Sequence, residues 1–237
     1  IGVVHEYAAQ FEPAEQAYRQ SLAIKVREND LAGQASSLGQ LGNLYGGMGR
    51  IEEAATFYRQ AAEAFVRLAD LANEGRARNN LAKTLIKLRR YDEARSELQR
   101  SIECRKPYGH AATPWNAWSI LENLERATGH AEAAQAARQQ AIETYLAYRR
   151  AGGVSQSPIA HLYALVAQAI RDNTEAEARQ GLDQIEAKQD TPPYLKAVIP
   201  QLKAVLRGNH NPTLIADPEL DYDDAAELLL LFESLSP

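Results

Sequence analysis

Few residues in this 237-residue chain have the types and spacing that chemistry requires. The five histidines, His5, His110, His130, His161 and His210, are scattered, with no two at ligand spacing on one helix and no cysteine beside them. A metal site needs several such donors converging, so none is expected, and no cofactor either. Cys104 is the single cysteine, which excludes an intrachain disulfide and a cysteine-rich zinc site and suits a reducing, cytoplasmic compartment. A thiol nucleophile needs an activating base, and an isolated cysteine on a helix is more often packing. Gly46-Gly47-Met48-Gly49 lacks the Lys-Ser/Thr ending of a phosphate loop and reads as a helix-to-helix turn. With no triad in view, the sequence is not expected to be an enzyme. What remains is a polar stripe. Arg76, Asn79 or Asn80, Lys83 and Lys87 recur at three- and four-residue steps and share one helix face. Such a stripe either attracts carboxylates or is simply a solvated face.

The elements that carry the stripe repeat. Ala14, Ala54, Ala94 and Ala134 are spaced by forty residues, as are Ile1, Leu41, Leu81 and Leu121. Glu12, Glu52, Asp92 and Glu132 keep the same interval. Each unit reads as two helices: Leu38, Leu41, Leu44 and Tyr45 mark the first of a pair, and Ala54, Phe57, Tyr58, Ala61 and Phe65 the second. Antiparallel helices approach closely only where a side chain is small, which accounts for the recurring alanine.

Leu38-x-x-Leu41-Gly42-x-x-Tyr45, followed by Gly49, Ala54, Tyr58 and Ala61, resembles the tetratricopeptide repeat. Leu81-Ala82-x-x-Leu85, Tyr91, Ala94 and Leu98 continue it; Trp118, Leu121, Gly129, Ala134 and Ala141 form a fourth unit that departs at Glu122, Glu125 and Arg138. The family's terminal proline is missing from every unit, and the long period is similar to the extended variety of kinesin light chains and bacterial regulatory proteins. The resemblance covers residues 1–153, with a truncated first unit. It implies an all-α, right-handed superhelical solenoid of antiparallel helix pairs, acting as a protein-interaction scaffold within a larger bacterial regulatory protein. It also implies that the first helix of each pair lines a groove. Carried over by position, the groove residues are Asn43, then Arg76, Asn79, Lys83 and Lys87, then Asn116, Asn123 and Arg126. Lys83 stands where the family's carboxylate clamp has asparagine. The implied partner is a peptide or protein segment of acidic character.

Beyond Ala151-Gly152-Gly153 the period is lost. Helices are expected from Ser157-Pro158, over 174–188, from Thr191-Pro192-Pro193 with Pro200 kinking or splitting it, and over 221–235. Solenoid ends need a cover, so residues 154–237 are expected to form a helical cap or small module. The acidic run Asp217, Glu219, Asp221, Asp223 and Asp224, ahead of the Leu228–Phe232 cluster, leaves two further readings: docking back on the basic stripe, or self-association through residues 221–235. The net charge of −5 argues against a general nucleic-acid binder, and the longest apolar run is far too short for a membrane span.

Overall fold

A computed structural model describes residues 2–235, with the backbone alone at 2–10, 110 and 212. Among the described residues there are eleven α-helices and no strand. They are α1 (Gly2–Arg27), α2 (Leu31–Gly47), α3 (Ile51–Arg67), α4 (Leu71–Lys87), α5 (Tyr91–Arg105), α6 (Trp115–Ala127), α7 (Ala131–Arg150), α8 (Ala160–Asp172), α9 (Glu175–Glu186), α10 (Pro193–Val205) and α11 (Tyr222–Leu235). The chain divides into two compact units, Ile1–Arg138 and Gln139–Pro237, so the division falls within α7.

In the first unit a shorter interval underlies the forty-residue period. Asn29, Gly49, Ala69, Arg89, Gly109 and Gly129 all take positive φ, twenty residues apart. At Asn29, Gly49, Ala69, Arg89 and Gly129 the left-handed residue lets the chain reverse directly after a helix, whereas Gly109 lies within a 3₁₀ turn. The same register would place a turn at Ala9, yet α1 runs through that point as one helix; there the expected truncated pair is a single rod. Asp30 and Asp70 cap α2 and α4, accepting from the amides of Gly33 at 2.8 Å and Asn73 at 3.0 Å. Forty residues on, the sequence has His110, between Pro107 and Pro114. There a 3₁₀ turn spans Lys106–Ala112 and α6 starts only at Trp115.

The recurring small residues make the helix contacts. Ala54 and Ala94 are fully buried in one continuous core with Leu41, Leu81 and Leu121, and Ala134 is buried on α7. A β-carbon on Gly42 would lie 2.7 Å from the Tyr58 ring, so α2 and α3 meet too closely there for any side chain. At the α4–α5 contact Ser101 Oγ donates to the Gly75 carbonyl at 2.7 Å, a bond that only two small residues could bring together.

The second unit has a core without a period. Leu162, Tyr163 and Val166 of α8, Leu182 of α9, and Val198, Ile199, Leu202 and Val205 of α10 close on Leu228, Leu231 and Phe232 of α11. Pro200 neither splits nor ends α10, which stays continuous from Pro193 to Val205. The α11 apolar face on which self-association would depend is therefore buried inside its own unit. Asp224 and Glu227 are engaged there as well. Asp224 accepts from Ser157 Oγ and Tyr163 Oη, both at 2.8 Å, and Glu227 accepts from Tyr145 Oη at 3.0 Å and Arg149 Nη2 at 3.2 Å. Of the acidic run that would dock on the basic stripe, Asp224 is engaged in this way, while Glu219 and Asp221 are exposed.

Candidate functional site

The sequence-predicted residues sit on α2, α4 and α6, the first helices of successive pairs. Two cavities on this face gather some of them. The first, about 220 Å³, lies between α2 and α4 and is lined by Ser36, Gly39, Asn43, Phe65, Asn73 and Arg76, among others. The second, about 520 Å³, is lined by Arg76, Asn79, Arg105, Tyr108, Thr113 and Asn116, among others. They are successive copies of one place in the repeat. Ser36, Gly39, Phe65, Asn73 and Arg76 of the first correspond, forty residues on, to Arg76, Asn79, Arg105, Thr113 and Asn116 of the second. Arg76 thus belongs to both.

The remaining predicted residues line neither cavity. Lys83 and Lys87 project from α4 as exposed side chains, and Asn123 is exposed on α6. Arg126 does not offer a free charge, because it pairs with Glu122 on its own helix, as Arg138 does from α7. Asn43 accepts from Tyr58 Oη at 2.6 Å, and Asn116 Nδ2 donates to Thr113 Oγ1 at 3.3 Å. Asn79 is the exception to an exposed stripe: it is 7% exposed, and its Oδ1 is buried without a hydrogen-bond partner.

Charge is distributed unevenly around these helices. Arg90, Arg95 and Arg100, on α5 or at its start, each meet a carboxylate, and so does Arg78 on the side of α4. Glu74 is the hub of one cluster: it is buried and accepts from Arg78 at 2.8 Å and Arg100 at 2.9 Å, which overcomes desolvation and lowers its pKa. The fourth unit's departures have the same use. Glu125 accepts from Arg95 Nη2 at 3.0 Å and contacts His130 at 2.8 Å; those bonds hold its carboxyl below the ordinary range. By contrast, Arg76, Lys83 and Lys87 form no ion pair among the described residues.

Cys104 is buried, and that burial, with Glu74 beside it, pushes the thiol up to about 11. It is held protonated, as a packing residue against Gly75 would be. Sequence reasoning missed Arg105. Its position is occupied by Phe65 one repeat earlier, so the forty-residue register marks it as a change from apolar to charged, and that departure was visible.

Residues 33–107 match the family described as tetratricopeptide repeat, so these residues form tetratricopeptide repeats. No curated protein matches the chain. Among solved structures, the chain is similar to the crystal structure of BtubC (BKLC) from P. vanneervenii. The TM-score is 0.58 and the identity 22%, over 87% of this chain and 78% of that one. That likeness concerns the fold. None of the described helices is long and apolar enough to cross a membrane.

Proposed function

We propose that the chain is a non-enzymatic scaffold that holds an extended, acidic segment of a partner protein against the face formed by α2, α4 and α6. Tetratricopeptide repeats generally mediate protein–protein interaction, and the reading refines that role for this sequence. The observation that carries it is the contrast on and around α4. Among the described residues Arg76, Lys83 and Lys87 have no ion-pair partner, while Arg78, Arg90, Arg95 and Arg100 all have one. An unpaired row of cations raises the local positive potential and favours an approaching carboxylate-bearing chain. Amide side chains at Asn43, Asn80, Asn116 and Asn123 accompany it. An amide both donates and accepts, so it can hold peptide backbone without requiring a particular side chain.

The test is a selection from a random peptide library against the intact protein, with the Lys83→Glu/Lys87→Glu variant as counter-target. Sequences rich in Asp and Glu should be retained by the native protein and lost on the variant. Enrichment of neutral or basic peptides, or equal retention by both proteins, contradicts the proposal.

A further inference from the structure

The second cavity differs from the first in ways that folding does not demand. The preceding repeat has Gly39 where this one has Asn79, and Phe65 where this one has Arg105. Phe65 belongs to the apolar core and is 7% exposed. Replacing it with arginine puts a guanidinium where a ring once packed, and that group is not fully satisfied. Its Nη1 donates to the Ala112 carbonyl and, at 3.3 Å, to Thr113 Oγ1, while Nε is buried without a partner. The Asn79 Oδ1 is the other buried polar atom of this cavity's lining that lacks a partner. A buried donor and a buried acceptor left unpaired cost free energy, which a ligand that pairs both would return.

The electrostatics lead to the same place. Two guanidinium groups, Arg76 and Arg105, line the cavity, and no acidic residue does among the described ones. Burial, and then repulsion from Arg76, lower the pKa of Arg105. An anion between them relieves that repulsion. With Nη1 occupied, Arg105 keeps the edge formed by Nε and Nη2, two parallel N–H donors that match the two oxygens of a carboxylate. The cavity owes its size to the unwound 106–114 connection, where Pro107, Gly109 and Pro114 replace a helix end and a helix start.

We infer that this cavity is a carboxylate-binding subsite that takes one Asp or Glu side chain of the partner segment. Arg105 and Arg76 bind its oxygens, and Asn79 Oδ1 accepts an adjoining backbone N–H. The inference rests on the α2–α4–α6 face being the partner-binding face, and adds where one acidic residue is fixed.

The probe is acetyl-Gly-Glu-Gly-amide, titrated into the full chain labelled with ¹⁵N on arginine and asparagine. The matched glutamine peptide and inorganic phosphate serve as comparison arms. Saturable shifts are expected in the Arg105 Nε–H and Asn79 side-chain signals with the glutamate peptide, and much smaller ones with glutamine. Arg105→Lys, which keeps the charge and can still reach the Ala112 carbonyl, should weaken binding about tenfold through loss of the paired donors. Asn79→Ala should weaken it by about threefold to tenfold without lowering Tm, because Asn79 Oδ1 has no partner to lose. A purely structural role would move Tm and leave affinity alone. Equal response to the two peptides, tighter binding of phosphate than of the glutamate peptide, or unchanged affinity in Asn79→Ala would overturn the assignment. Failure of the wider proposal looks different: selected partner peptides would ignore Lys83 and Lys87 while the tripeptide still moved Arg105.

Discussion

Both units bury carboxylates beside arginines, Glu227 with Arg149 in the second, but the second also buries Asp224 by a different means. In the first, Glu74, Glu122 and Glu125 are each met by arginines, some from a neighbouring helix. The pKa values of Glu74 and Glu125 are lowered accordingly. In the second, Asp224 is held by the hydroxyls of Ser157 and Tyr163, and its pKa is raised, chiefly by burial. Asp223, beside Asp221 and Asp224, is pushed up to about 6 by desolvation and then by its acidic neighbours. The first unit is built around charged acids. The second tolerates, in Asp223 and Asp224, acids shifted toward the protonated form.

The sharpest break in this comparison is Asp224→Ala. It removes the carboxylate acceptor of two buried hydroxyls and leaves Tyr163 Oη only the residue-224 carbonyl at 3.4 Å, so at the usual penalty for poorly satisfied polar groups it should cost about 1–3 kcal/mol. Hydrogen exchange under increasing denaturant should show the loss in α8 and α11. Unchanged protection of those helices would mean the hydroxyls find other partners. Glu74→Gln should likewise cost about 1–3 kcal/mol, and loosen α4 and α5. Arg78 retains Glu97, and Arg100 is half in solvent and retains Glu103, so neither is left wholly unpaired.

The pH dependence should then carry opposite signs in the two units. Asp223 has a folded pKa above its unfolded one. Its stabilising contribution is complete below the unfolded value and is lost as pH rises through about 6. After solvent screening, about 1–2 kcal/mol should be gained in the second unit between pH 7 and pH 4. Glu74 and Glu125 have depressed pKa values, so their contribution is present above the unfolded carboxylate range and lost as pH falls through the folded values. Exchange rates corrected for pH should therefore slow in α8 and α11 and speed up in α4–α6 on acidification. Asp223→Asn should flatten the first trend and leave the second. The smallest effect on stability belongs to the face proposed to bind. Lys83→Glu/Lys87→Glu should change unfolding free energy by no more than about 0.5 kcal/mol, since both side chains are exposed and unpaired.

The sequence announced the first unit well because one physical requirement, a small residue where two helices touch, recurs at Ala54, Ala94 and Ala134. The twenty-residue interval was harder to see, because the left-handed positions are filled by Asn29, Ala69 and Arg89 as well as by glycines. Residue type alone therefore does not mark them. The second unit has no recurring contact, so its helices were visible as apolar faces but not which faces meet. Within the candidate site, the α4 stripe follows from helical spacing. Two facts about it needed three dimensions. Arg126 is already paired with Glu122, and Asn79 is buried rather than exposed. Glu125 stood out as a departure from the family pattern, but its partner Arg95 lies thirty residues earlier, beyond any local rule.

The most direct test is a hydrogen-exchange footprint of the intact protein bound to an acidic peptide obtained by selection. Protection centred on α2, α4 and α6, and absent with Lys83→Glu/Lys87→Glu, is the predicted result. Protection confined to α3 and α5, or to α8–α11, would contradict the assignment of the binding face.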